Sequence, residues 1–133
     1  MTTFDLIQSF KLFRIKTTGG DLPGPYVLAQ FHFHWGSATH GGSEHKVAGG
    51  QHFAEIHLVH TKEEYGDDYM SHDDGLGVLG FFVDVEEGAE EGPLDELIQN
   101  QIATKVLDPQ ATTAITGIAM GDLLPKTFDD YYR

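Results

Sequence analysis

The 133 residues include no cysteine, so they can build neither a disulfide nor a cysteine-ligated zinc site. Basic residues are scarce as well: eight Lys and Arg stand against twenty-one Asp and Glu, a formal net charge of −13. Such an excess repels nucleic-acid phosphates and anionic membrane surfaces, so neither is expected as a partner. It says little about a neutral small molecule. No run approaches the roughly 18 apolar residues that a membrane helix requires, and Met1 to Asp5 lack a basic-then-apolar signal pattern. The chain as given is expected to be soluble and to carry no address. Its compartment stays unknown, a cytoplasmic and a secreted parent being equally compatible. Internal repeats and linkers are missing too. The acidic stretch from Thr61 to Asp74 lacks the Asp-x-Asp-x-Asp-Gly spacing of a calcium loop, so it reads as a solvated surface loop.

What is present suffices for one domain with a core: 40% hydrophobic residues, with nine Phe and five Tyr. Two stretches dominate. Gln30-Phe31-His32-Phe33-His34-Trp35-Gly36 and Phe53-Ala54-Glu55-Ile56-His57-Leu58-Val59-His60 both alternate apolar and polar residues, the period of a strand. Side chains two apart on a strand share a face. His32 and His34 therefore project together with Gln30 behind them, while Phe31, Phe33 and Trp35 line the opposite face. On the second run Glu55, His57 and Val59 share a face.

If these strands are neighbours, His57 reaches the space in front of His32 and His34, and three imidazoles surround one point. A catalytic zinc commonly takes three protein ligands and leaves its fourth tetrahedral position to water, whose pKa it brings to roughly 7. Gln30 and Glu55 each precede a proposed ligand by two residues on the same face. Each can hold the free ring nitrogen of its histidine, fixing tautomer and ring orientation. A His-x-His alone is more often just two half-buried polar residues; the third histidine, with a carboxylate at the same offset, favours a metal.

Elsewhere, Phe10 to Lys16 ends in alternation and predicts a strand, and Thr17 to Pro25 is rich in turn residues. Another strand is expected from Tyr26 to Trp35. Gly36 to Gly50 reads as a long excursion between the histidine strands. Leu76 to Val85 is a nearly unbroken apolar run, which predicts a strand covered on both faces. Glu86 to Gly92 is a surface loop by its charge. Pro93 opens a short helix with Leu94, Leu97, Ile98 and Ile102 on one face. A strand around Thr112 to Ile118 follows, closed by Asp122-Leu123-Leu124-Pro125.

Gln30 to Gly36, Gly42-Ser43-Glu44-His45 and Glu55 to His60 together resemble the core of the α-class carbonic anhydrases, in order and in spacing. Asp74-Gly75-Leu76-Gly77-Val78-Leu79-Gly80 resembles a fourth piece, and the likeness runs from about Gly19 to Leu124. The resemblance implies a mostly β fold with a few short helices, a portion of the large, twisted, mainly antiparallel sheet of that family. It also implies Zn2+ held by His32, His34 and His57, and reversible hydration of carbon dioxide to bicarbonate and a proton with zinc-bound hydroxide as nucleophile. Val59, Val78 and Leu76 would form an apolar wall for the substrate. Glu44 would have a buried catalytic role, accepting a hydrogen bond from a downstream Thr that orients the hydroxide, with His45 structural beside it. Sulfonamides and anions are expected as inhibitors.

After Asp129-Asp130-Tyr131-Tyr132-Arg133 the family pattern would continue with Ser-Leu-Thr-Thr-Pro-Pro, and upstream it would carry a proton-shuttling histidine; neither lies in these residues. The expectation is one incomplete carbonic anhydrase domain over residues 1–133, an internal portion with little activity of its own. Open sheet edges would make it self-associate or leave it marginally stable. One rival is a non-catalytic acidic zinc-binding structural or biomineral-matrix protein with the same fold. Another is a cupin-type metal enzyme, disfavoured because Glu44 lies ten positions past His34.

Overall fold

The computed structural model describes residues 2–6, 15–36, 40–97, 99, 121 and 124. In chain order, β1 (Thr2–Leu6) and β2 (Lys16–Thr17) precede the long strand β3 (Tyr26–Trp35). A small ribbon of β4 (Lys46–Val47) and β5 (Gly50–Gln51) leads to β6 (Ala54–Lys62). A 3-10 segment (Glu63–Ser71), β7 (Leu76–Val83) and the one-turn helix α1 (Pro93–Leu97) complete the described elements. The main sheet runs β1-β3-β6-β7, with β2 also on β3, and every pairing is antiparallel. A mostly β architecture with few short helices is thus what the alternation and the family likeness predicted.

The alternation sorts the two faces. Phe31, Phe33, Ile56 and Leu58 are buried on one side, and Leu97 of α1 packs into the same cluster. Each such side chain contributes about 1.5–3 kcal/mol relative to exposure. One irregularity adjusts the phase: Leu28 faces His60 whereas Gln30 faces Val59, so Ala29 is an extra residue in β3. This bulge lets Leu28 and Phe31, three apart, share the core side and leaves Gln30 with His32 and His34 on the other.

Three expectations change. The acidic stretch is not simply a solvated loop: β6 continues to Lys62, the 3-10 segment follows, and Asp74 is drawn in by Lys62 Nζ at 2.6 Å and by the Tyr65 hydroxyl at 3.0 Å. Nor is β7 covered on both faces. Leu79, Phe81 and Val83 pack on the core, but Leu76, Val78 and Phe82 are 47%, 51% and 41% exposed. An apolar run does not distinguish two-sided burial from apolar groups left at a surface. Finally, the excursion before β6 contains the β4–β5 ribbon. Of the strand expected over Phe10 to Lys16 only the end, at β2, is described; Ile98, Ile102 and the strand around Thr112 to Ile118 lie outside the described residues.

Candidate metal centre

In the β3–β6 register His32 stands opposite His57, and His34 opposite Glu55. The pleat that sends the phenylalanines to the core sends these polar side chains to the other face. There the ring nitrogens converge: His32 Nε2 lies 3.1 Å from His34 Nε2, which lies 3.2 Å from His57 Nδ1. The outward nitrogens are engaged as the two-residue offsets predicted. His32 Nδ1–H donates to Gln30 Oε1 at 2.9 Å, and His57 Nε2–H donates to Glu55 Oε1 at 2.7 Å. In their neutral forms both rings then aim a lone pair at the common point.

This donor set fits a metal ion. Ligands about 2.0 Å from a tetrahedral centre stand about 3.3 Å apart, close to the spacing of these nitrogens. Protons alone serve the arrangement poorly, because a neutral His34 carries at most one on Nε2 and faces two lone pairs. Burial, and then the neighbouring His57, hold His34 below its ordinary value of 6.5, keeping it in the neutral form that binds metals.

Glu55 anchors the far side. Burial pushes its carboxyl up, but the backbone N–H of His45 at 2.9 Å and the rings of His57 and His45 more than reverse this, leaving it below the ordinary 4.5. His45 Nδ1–H donates to Glu55 Oε1 at 2.8 Å from a largely exposed ring. The segment carrying Glu44 and His45 is pinned in turn by Ser43. This fully buried residue donates from Oγ to the His45 carbonyl at 2.7 Å and accepts the His52 N–H at 3.0 Å. Gly42 lies so tightly against Trp35 and Gly36 that no Cβ would fit.

Glu44 departs from its expected burial. Its side chain is 45% exposed, with Oε2 standing 3.7 Å from His34 Nε2 and 3.8 Å from His57 Nδ1. Val59 lies between Gln30 and Val78 on the histidine face, one side-chain pair along from the His57–Gly80 pair. Leu76, opposite Thr61, lies about 13 Å along β7 from Gly80. A cavity of about 30 Å³ is bounded not by His32, His34 or His57 but by Thr17, Tyr26, His60, Val78 and Leu79 among others. Sequence reasoning passed over the positioning by Ser43 and the close approach of Gly80 to Glu55. A glycine inside an apolar strand, as Gly77 and Gly80 both are in β7, was the available signal for the second.

Three imidazoles converging on one point, two of them held from behind and all on the face of an antiparallel sheet, define a candidate histidine-ligated metal centre. The family model for eukaryotic-type carbonic anhydrases matches residues 3–133, and the chain belongs to that family. It is 45% identical to carbonic anhydrase 3 of Homo sapiens over 96 residues, 69% of this chain and 36% of that protein. It is 38% identical to carbonic anhydrase 6 of Homo sapiens over 111 residues, 80% and 35% of the respective chains. Carbonic anhydrase 3 of Rattus norvegicus is 43% identical over 96 residues, again 69% of this chain and 36% of that protein. The chain thus spans about a third of the length of these curated relatives. Among the described residues no helix is long and apolar enough to cross a membrane.

Proposed function

We propose that this chain carries the metal-binding part of a zinc-dependent enzyme that reversibly hydrates carbon dioxide to bicarbonate and a proton. The observation that carries this reading is the convergence of His32 Nε2, His34 Nε2 and His57 Nδ1 with spacings of 3.1 and 3.2 Å. Zinc held there would supply the acidification of water that makes hydroxide available near neutral pH. Gln30 and Glu55 hold the rings of His32 and His57, and His45 steadies Glu55. Val59 and Val78, with Leu76 beyond them, offer a neutral apolar surface to a substrate without charge, so the charge of −13 is no obstacle. Glu44 faces the histidines from its half-exposed position, where its carboxylate can accept a hydrogen bond from the group that orients the attacking oxygen. Anions and sulfonamides would compete at the same centre. The 133 residues form one part of a catalytic domain, have little activity alone, and self-associate through the exposed edge of the sheet.

The test pairs elemental analysis with a stopped-flow hydration assay on the protein that carries this chain, with and without His57→Ala. We expect one zinc per chain and rapid hydration, both largely lost in the variant. Zinc retained in His57→Ala overturns the ligand assignment. Full zinc with hydration no faster than buffer overturns the enzymatic reading in favour of a non-catalytic acidic zinc-binding structural or mineral-matrix protein, a reading compatible with the net charge.

A further inference from the structure

Asp84 follows β7 directly, one residue beyond the last ladder pair, Ala54 with Val83. Its exposed carboxylate takes over there from the ladder. A carboxylate is acceptor-only, so His52 Nδ1–H donates to Oδ2, at 2.6 Å, and the Phe53 backbone N–H donates to Oδ1 at 3.1 Å. These two bonds, that from His52 first, hold the Asp84 carboxyl below its ordinary 3.8. The His52 ring also stacks on Phe82, with centroids 4.2 Å apart, and Phe82 stands opposite Glu55. His52 then holds the segment that leads to the metal centre. Its carbonyl accepts from the N–H groups of Gly42 and Ser43 at 2.9 and 3.2 Å, and its own N–H donates to Ser43 Oγ. Ser43 donates to the His45 carbonyl, His45 donates to Glu55 from backbone and ring, and Glu55 accepts from His57. A continuous series of contacts thus joins a surface carboxylate to the ring of a candidate ligand. Strand ends open easily unless they are tied, so the tie at Asp84 bears on everything that follows it.

We propose that Asp84 is a positioning residue for the metal centre: its carboxylate fixes His52 and Phe53, and through them Ser43 and His45, so that Glu55 keeps the His57 ring aimed at the point where the histidines converge. The inference rests on the three-histidine reading and adds to it a control on ligand orientation from outside the centre. Asp84 touches neither the histidines of the centre nor Glu55; among the described residues it acts through His52 and Phe53 alone.

The test is a cobalt(II) titration of the full 133-residue chain, read by visible absorption at a temperature where far-ultraviolet circular dichroism shows every variant folded. The variants are Asp84→Leu, Asp84→Asn, Ser43→Ala, and Ser43→Ala combined with Asp84→Leu. Leucine matches aspartate in size but accepts no hydrogen bond. Asparagine also lacks the charge, yet it still accepts from the Phe53 N–H and can donate to the His52 ring, so it separates positioning from long-range charge. Asp84→Leu is expected to bind cobalt about three- to tenfold more weakly, less than the roughly 10–100-fold that follows loss of a ligand's direct partner, and to change the intensity of the visible bands. Asp84→Asn is expected to bind as the parent does. Added to Ser43→Ala, Asp84→Leu should weaken binding no further, because residues that act through one another are not additive. An Asp84→Leu chain that binds as tightly as the parent, an Asp84→Asn chain as weak as Asp84→Leu, or fully additive losses overturns the proposal and leaves the three histidines standing. A parent chain that takes up no cobalt overturns the three-histidine reading and this inference together.

Discussion

Gly80 stands opposite His57, and a Cβ at that position would sit 3.0 Å from Glu55 Oε1 and 3.5 Å from His57 Cδ2. That oxygen cannot easily yield: it is buried and accepts from both His57 and His45, at 2.7 and 2.8 Å. Adding one methyl group here should therefore disturb the orientation of a ligand without removing one. We predict that Gly80→Ala lowers zinc affinity roughly tenfold, measured by competition with a chelator, while the far-ultraviolet circular dichroism is retained. Unchanged affinity would mean that Glu55 shifts freely and does not orient His57. At this scale the sequence was readable wherever two residues on one strand sufficed: His32 with Gln30, and His57 with Glu55. Gly80 was not readable, because its meaning depends on which β6 residue it faces. Nor was the exposure of Glu44, which depends on what the rest of the fold lays over it.

The segment from Lys62 to Asp74 is an element whose charges hold it against the sheet. Lys62, at 5% exposure, pairs with Asp74 and with Glu64, both at 2.6 Å, and lies over the Tyr65 ring. The Tyr26 hydroxyl donates to the Asp74 carbonyl at 2.6 Å, tying the far end of the segment to β3. The hydrogen bond from Lys62, and next that from Tyr65, hold the Asp74 carboxyl below its ordinary 3.8; the Asp74 bond is likewise the largest of the effects that raise Lys62. Folded Asp74 therefore stays ionised where the unfolded chain has begun to take up a proton. Its contribution to stability is complete above 3.8 and lost as pH falls through the depressed value. The contribution of Lys62 is complete below its ordinary 10.5 and lost only as pH rises through the raised value, so the alkaline side is protected. Melting temperature followed downward through pH 3.8 should fall more steeply in the parent than in Asp74→Asn, by up to one proton's worth of slope. Parallel curves would show that the pair adds nothing. The acidic composition suggested a loop, because local reading registers the surplus of Asp and Glu but not the lysines that gather them, Lys62 for Glu64 and Asp74 and Lys16 for Glu63.

For the whole molecule, two forces meet at β7. Leu76, Val78 and Phe82 form an exposed apolar row on the strand that ends the sheet path among the described residues, the kind of surface a second copy can cover. Opposing this is the charge of −13, which makes two copies repel. The strand pattern made the row legible as a strand, but the same apolar run made it look interior; only what packs on each side of the sheet tells which face is covered. Because charge repulsion is screened and apolar contact is not, ionic strength should decide between the two forces. The screening length falls from about 30 Å at 0.01 M to about 8 Å at 0.15 M. Sedimentation of the 133-residue chain should thus show a mass that rises with protein concentration, and rises further as salt is added. Phe82→Glu puts a charge in the middle of the row and should return the chain to a monomer at the same salt. A parent chain that stays monomeric at high concentration and high salt, or a Phe82→Glu chain that associates as strongly as the parent, rules out this face as the contact.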